Sequence, residues 1–243
     1  MSETALKKLS RREALGMLSA AGAILSAACS GETPTSPTAT TAPATAATPG
    51  TTTTPPVSGA ACVVTPSETA GPFPSITLPV RSDVREDRTG LLLTLAIAVV
   101  NTNASCAPAA NASVEIWHCD AAGSYSEYGN VSSSTWLRGI QPVDANGVAR
   151  FTTIYPGWYA GRATHIHIEV FVNNRSVKTT QLAFPEEINS AVYASGVYAS
   201  KGQNPTKAAN DMVFSDGVTS ELASVAGNTT SGYAATFTVG ISI

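Results

Sequence analysis

Two histidines one residue apart, His165 and His167, close the segment PGWYAGRATHIH (156–167), which also carries Tyr159 and Arg162. A strand turns successive side chains to opposite faces, so the two imidazoles share one face. Ile166, Ile168, Val170 and Val172 occupy the alternate positions and predict a strand with one largely buried face. Two imidazoles, a phenol and a guanidinium this close together make half of a metal site. The other half is expected from VEIWHCDAAGSYSEYGN (114–130), which reads as a strand, a turn over 120–123, and then Tyr125. Strand ends and the loops after them are where scaffolds place chemistry.

The candidate ligand set is therefore Tyr125, Tyr159, His165 and His167. A free phenol ionises near pH 10 and ligates poorly at neutral pH, but a trivalent cation strongly favours the phenolate. Two phenolates with two neutral imidazoles suit oxidised iron, Fe(III), better than zinc or copper(I). Two phenolates and a hydroxide would neutralise its charge and leave a position that an anionic chelator can take. Tyr128 competes with Tyr125 for the first phenol position, and Tyr155 with Tyr159 for the second. His118 lies inside the preceding strand and is expected to pack beside Trp117. The commonest fate of an arginine is a surface ion pair, yet the offset of Arg162 from His165 puts it with the site. Trp158 is expected as a pocket wall, the Pro/Gly-rich stretch 65–74 as a rim of the cleft, and Gly157 and Gly161 as sources of backbone freedom around Tyr159.

These residues need a scaffold. Strand-like runs recur at 91–100, 113–118, 148–154, 165–172, 177–184 and 234–243, separated by turn signals such as Asp144 to Gly147 and Asn173-Asn174. Pro185 opens a short helix over 185–195. The fold class expected over 61–243 is all-β, an antiparallel β-sandwich with long loops and at most a short helix. Cys62, Cys106 and Cys119 allow three pairings. Placement favours Cys62 with Cys106, which would staple the start of the domain to the loop after the first strand and leave Cys119 buried and free.

The first 60 residues read as address rather than fold. Residues 1–29 carry Lys7, Lys8, Arg11 and Arg12 and then an Ala-rich apolar run, the layout of an export signal; Arg11-Arg12 resembles a twin-arginine motif. LSAAC (25–29) resembles a lipoprotein cleavage site with Cys29 as the lipidated residue. Residues 30–60 are almost wholly Thr, Pro, Ala, Ser and Gly, a flexible linker that suits a membrane tether. The chain of 243 residues has a formal charge of −3. It becomes about −5 without the signal, so no basic surface suggests nucleic acid. The expected location is periplasmic or cell-surface, anchored to a membrane through Cys29.

The motifs TPSETAGPFP (65–74), VEIWHCDAAGSYS (114–126) and YPGWYAGRATHIHIEV (155–170) resemble those of the intradiol ring-cleavage dioxygenases, the family of catechol and protocatechuate 3,4-dioxygenases. The resemblance spans about 62–184. It implies non-haem ferric iron held by Tyr125, Tyr159, His165 and His167, with Arg162 as an active-site cation and Gln181, in TTQLAF, as a further catalytic group. It also implies a catechol-type substrate cleaved between its two hydroxyls with O2 to a muconate-type diacid, with Tyr159 leaving the metal as the catechol binds. Two features depart from the aromatic-degrading members. The segment between Tyr159 and His165 is shorter, and those enzymes are generally cytoplasmic. The reading from another class is an exported, surface-anchored sandwich that binds phenolics or a protein partner and keeps the metal without turnover.

Overall fold

The computed structural model describes residues 62–243; the predicted export signal, Cys29 and the linker lie outside the described residues. Leu93, Leu95, Ile97 and Val99 alternate along β1 (Leu92–Asn101) and are buried, so one face of that strand lines the core. β1 centres a five-stranded sheet. One edge pairs with β9 (Gly232–Ile241), which continues to β8 (Ser224–Asn228); the other takes β5 (Val148–Ile154) and the two-residue β2 (Ala107–Pro108). The second sheet runs in the order β4 (Arg138–Pro142), β3 (Ala112–Trp117), β6 (His165–Val172), β7 (Arg175–Ala183). Val114, Ile116, Ile166, Ile168, Val170 and Leu182 from this sheet meet Leu95, Phe151, Phe237 and Val239 from the first. The architecture is an all-β sandwich. Strand pairing is antiparallel throughout except between β1 and β9, which run parallel and bring the end of the chain beside its first long strand.

The six expected strands lie within two residues of those observed. α1 (Glu186–Tyr193) starts directly after Pro185, which supplies its N-cap position. β4 and β8 were not expected. Their sequences, RGIQP and SVAGN, hold too few apolar residues to alternate, and ladder pairing to β3 and β9 makes them strands. No helix among the described residues is long and apolar enough to cross a membrane.

The segment 62–84 crosses the outer face of the second sheet as a strap, in strand order from β7 to β4. Glu68 N donates to Thr179 O on β7, Gly71 lies against His167 of β6, and Arg138 of β4 donates to Phe73 O. Ile140 N then donates to Pro79 O. A disulfide joins Cys62 to Cys106 across a Cα–Cα distance of 5.7 Å, fixing the start of the strap to the loop after β1; Cys119 is free and buried. His165 and His167, on the sheet face away from the core, are nevertheless buried; the strap meets His167 at Gly71, and Tyr125 and Tyr159 lie against His165.

Candidate metal centre

β6 carries His165 and His167 on one face, as its period of two requires. Tyr125 follows the tight turn that ends β3, where Asp120 O accepts from Gly123 N at 2.9 Å and Asp120 Oδ1 accepts from Ser124 N at 2.9 Å. Tyr159 comes from the loop between β5 and β6. The structure brings all four predicted donors together. His165 Nε2 lies 3.4 Å from Tyr125 Oη, 3.2 Å from Tyr159 Oη and 3.2 Å from His167 Nε2.

The support around these atoms selects their chemical state. His165 Nδ1 lies 2.6 Å from Ala163 O, which can only accept, so Nδ1 carries the proton and Nε2 turns its lone pair to the cluster. His167 stacks flat on Trp117, with ring centroids 4.8 Å apart, and its buried Nδ1 has no hydrogen-bond partner. Burial pushes the His165 imidazole down to about 3, with the Arg162 guanidinium adding to the effect, and holds His167 well below the ordinary histidine range for the same reasons. Burial likewise raises both phenols, Tyr125 far above 10 and Tyr159 less so, because Arg162 and a hydrogen bond to Tyr125 oppose the shift. Left to themselves the four groups are neutral, and two imidazole nitrogens face each other at contact distance. A cation among them satisfies both lone pairs and reverses the penalty on the phenolates. The donor set fits a hard trivalent metal.

The competing residues lie elsewhere. Tyr128 Oη donates to Pro74 O at 2.7 Å, and Tyr155 Oη donates to Asn189 at 2.8 Å inside the core. His118 is buried between Cys119 O (2.9 Å) and Thr153 Oγ1 (2.7 Å) of β5, and burial pushes it down to about 4; it is a packed residue, with its side chain toward the first sheet while Trp117 stacks on His167. Trp158 differs from expectation. It packs against the sandwich core and donates to Gly202 O, so the apolar wall around the phenols is Phe73, Ala70, Trp117 and Cys119. Gly157 differs as well: a Cβ there would stand 2.3 Å from Asp120 O, so this glycine permits close packing on the 120–121 turn, and backbone freedom is confined to Gly161 at φ 86°.

Arg162 is not a surface ion pair. Its Nε donates to both oxygens of Asp211 at 3.1 and 2.9 Å, and Nη2 donates to Gln181 Oε1. Asp211 is buried and also accepts from Ala163 N at 2.7 Å. Gln181 is fully buried, its other end donating to Thr69 O of the strap at 2.8 Å. With both ends of its amide engaged, Gln181 braces Arg162 from behind. Three further supports had no visible sequence signal. Asp211 is 49 residues from its arginine. Arg138 donates to Phe73 O, Ser75 Oγ and both oxygens of Ser126, the residue after Tyr125. Gly71, at φ 70°, lets the strap pass so close that a Cβ would sit 3.2 Å from His167 Cε1. A cavity of about 550 Å³ lined by Asp87, Arg88, Asp120, Val197 and Lys201 contains none of these groups.

A family model described as Dioxygenase matches residues 74–213, from inside the strap to just past Asp211. An intradiol ring-cleavage dioxygenase from Tetranychus urticae is 25% identical, with a TM-score of 0.67 over 74% of this chain and 95% of that one. The chain belongs to the intradiol ring-cleavage dioxygenase family. It is thus an intradiol ring-cleaving oxidoreductase. The dioxygenase domain of a dioxygenase–carbohydrate-binding fusion from Streptomyces sp. SirexAA-E is also 25% identical, with a TM-score of 0.57 over 74% of this chain and 99% of that domain. The 3-chlorocatechol 1,2-dioxygenase of Rhodococcus opacus 1CP, 22% identical with a TM-score of 0.53 over 73% of this chain and 72% of its own, shares the fold. No curated protein matches the sequence.

Proposed function

We propose that the chain holds non-haem Fe(III) through Tyr125, Tyr159, His165 and His167 and cleaves a catechol between its hydroxyl-bearing carbons with O2. Both oxygen atoms enter the product, a muconate-type diacid, so no external reductant is needed. The observation that carries this reading is the convergence of two phenol oxygens and a second imidazole nitrogen on His165 Nε2, all within 3.4 Å. A bound ferric ion supplies Lewis acidity and a redox relay between the electron-rich ring and dioxygen.

The protein's own part is to orient, to exclude water and to move protons. His165 is held as a neutral ligand by Ala163 O, and His167 by its stack on Trp117. Tyr125 stays in place, gripped between Phe73 and the residues below it. Tyr159 is the mobile group: held as a phenolate when the metal is bound, its Oη would accept a catechol proton and become a neutral phenol as it swings out, with Gly161 taking up the backbone change. Arg162, fixed by Asp211 and Gln181, faces the negative charge that develops on the substrate oxygens. The apolar wall of Phe73, Ala70 and Trp117 keeps bulk water from the reacting ring.

Iron content, visible spectrum and oxygen uptake across a catechol panel test the assignment. His165→Ala and His167→Ala lose the metal, and Tyr125→Phe loses most of the phenolate colour. Tyr159→Phe keeps iron, shifts the band and slows turnover. Arg162→Ala keeps colour and loses about 10²–10³ in kcat. Full iron and colour in both histidine variants would overturn the site. We propose further that 1–29 direct export and that Cys29 is lipidated, which predicts that Cys29→Ala releases the protein from the membrane fraction.

A further inference from the structure

The free edge of β7 is covered by two segments, the strap at Glu68 and the segment 221–223, whose backbone pairs with Ala183. Between them three carboxylates converge. Glu68, Asp216 and Glu221 each place an oxygen within 4.8 Å of the other two. Among the described residues none of the three forms an ion pair, because the nearby cations are engaged elsewhere: Arg162 with Asp211, and Lys178 Nζ with Thr65 O and Ser67 Oγ at 2.7 and 2.8 Å. An unscreened group of like charges is costly, and Glu221 makes it more so.

Glu221 is completely buried. Its backbone is fixed, N–H to Val218 O and C=O from Ala183 N, each at 2.8 Å. Its Oε1 accepts from Thr180 Oγ1 at 3.0 Å, whereas Oε2 has no partner among the described residues. A buried acceptor held rigidly beside two other carboxylates and left without a donor lacks a positive ligand. Burial, followed by the charges of Glu68 and Asp216, pushes the Glu221 carboxyl up to about 8, and Glu68 is raised by burial and Asp216.

We propose that Glu68, Asp216 and Glu221 form a calcium site that clips the strap to the 216–221 segment at the edge of β7. The donors are all carboxylate oxygens, the choice of a hard cation, and no histidine nitrogen or cysteine sulfur joins them among the described residues. Calcium accepts irregular sets of carboxylates and water at about 2.3–2.6 Å, so three oxygens of this spread reach one ion. Magnesium demands a tighter octahedron and sheds water reluctantly. Asp216 is exposed and Glu68 half-buried, which leaves the outer side open for the waters that complete the shell. None of the three belongs to the candidate iron centre.

Thermal melting of the iron-loaded full chain in chelator-free buffer, with and without about 10 mM CaCl2, tests the proposal. Sites of this type bind at about 10⁻⁴–10⁻³ M, which predicts a Tm rise of about 3–10 °C, with MgCl2 at equal ionic strength giving much less. Asp216→Asn and Glu221→Gln each abolish the rise. Glu221→Gln preserves the acceptor for Thr180 and folds without the ion, so loss of response there reports the site and not misfolding. An unchanged wild-type Tm in calcium overturns the proposal, as does a rise that persists in both variants. An unresponsive wild type paired with a stabilised Glu221→Gln identifies a proton-sharing cluster and equally overturns it.

Discussion

Replacing Arg138 with methionine isolates the role of the strap in holding the candidate metal centre. Arg138 is completely buried and joins three segments. It donates to Ser126 Oγ (2.9 Å) and Ser126 O (2.7 Å) after the β3 turn, and to Phe73 O and Ser75 Oγ (3.1 Å each) on the strap. It also lies 3.3 Å from Glu127 Oε2 and 5.9 Å from the Tyr125 ring centroid. Methionine fills most of the volume and supplies no donor. Removing one partner of a buried ion pair costs about 3–5 kcal/mol. Glu127 keeps its bonds from Ile76 N (2.6 Å), Thr77 N (3.0 Å) and Thr77 Oγ1, which puts Arg138→Met near the lower bound, about 3 kcal/mol. For a chain of this size that is a Tm lower by about 6–12 °C.

The loss is not only global. Ser126 is bonded to the residue that carries the phenol, so its release loosens Tyr125 and speeds iron loss to a competing chelator. Adding Glu127→Gln to Arg138→Met removes the stranded carboxylate and recovers part of the stability, a coupling that calorimetry on both single variants and the double resolves. A single variant melting within about 2 °C of wild type, with unchanged iron half-life, would refute the claim that the strap is pinned through Arg138.

Gly71→Ala should cost about 1–2 kcal/mol for the left-handed backbone alone, and its Cβ, 3.2 Å from His167 Cε1, should displace that ring; a shifted visible band checks this. Asp211→Asn should keep iron and colour yet lower kcat by about 10–100-fold with little change in KM, since it frees Arg162 without touching the donors; steady-state kinetics decide. Glu115 is buried beside Ser75, Glu169, Arg138 and Glu127, and burial pushes its carboxyl up to about 7, so the folded chain keeps a proton that the unfolded chain loses near 4.5. Its contribution to stability therefore falls as pH rises from about 4.5 to about 7 and is flat above, by at most about 3 kcal/mol. Glu115→Gln should remove that fall in denaturant unfolding between pH 5 and pH 8, and an unaltered slope would contradict it.

The four donors were legible because each lies in a short motif whose local geometry does the positioning. The H-x-H of β6 needs only the strand period, and Tyr125 needs only the turn at 120–123. The long strands were legible for the same reason. What escaped acts over distance. Asp211 and Arg138 look like ordinary surface charges until the chain brings them to Arg162 and Ser126, and no local pattern separates a buried arginine from an exposed one. β4 and β8 are strands by partnership, since RGIQP and SVAGN have no alternation of their own. The parallel placement of β9 beside β1 depends on the whole chain path, which periodicity does not encode. Gly157 was misread because a glycine between aromatics fits freedom and close packing equally well; only the approach of Asp120 O distinguishes them.

The two tyrosines are supported unequally, and that asymmetry gives the proposed site a direction. Tyr125 is 5% exposed, with Phe73 stacked on it at 4.9 Å. Trp117, Cys119 and the Arg138 guanidinium complete its surroundings, so moving it means moving the strap. Tyr159 is only half-buried, sits six residues from its nearest donor partner in the chain, and is followed by Gly161, whose Cβ position is open. Its neighbour Trp158 is anchored to Gly202 O, and Lys201 Nζ grips Trp158 O, so the chain before Tyr159 is fixed; it is fixed again at Arg162, whose O accepts from Asn204 Nδ2 at 3.0 Å, which leaves Gly161 as the open position between. In the proposed mechanism Tyr159 takes the catechol proton as it leaves, so it would depart as a neutral phenol, with Gly161 absorbing the movement. On that reading Arg162 would face a single charge, that of the incoming catecholate, and its bracing by Asp211 and Gln181 would hold it in place to do so.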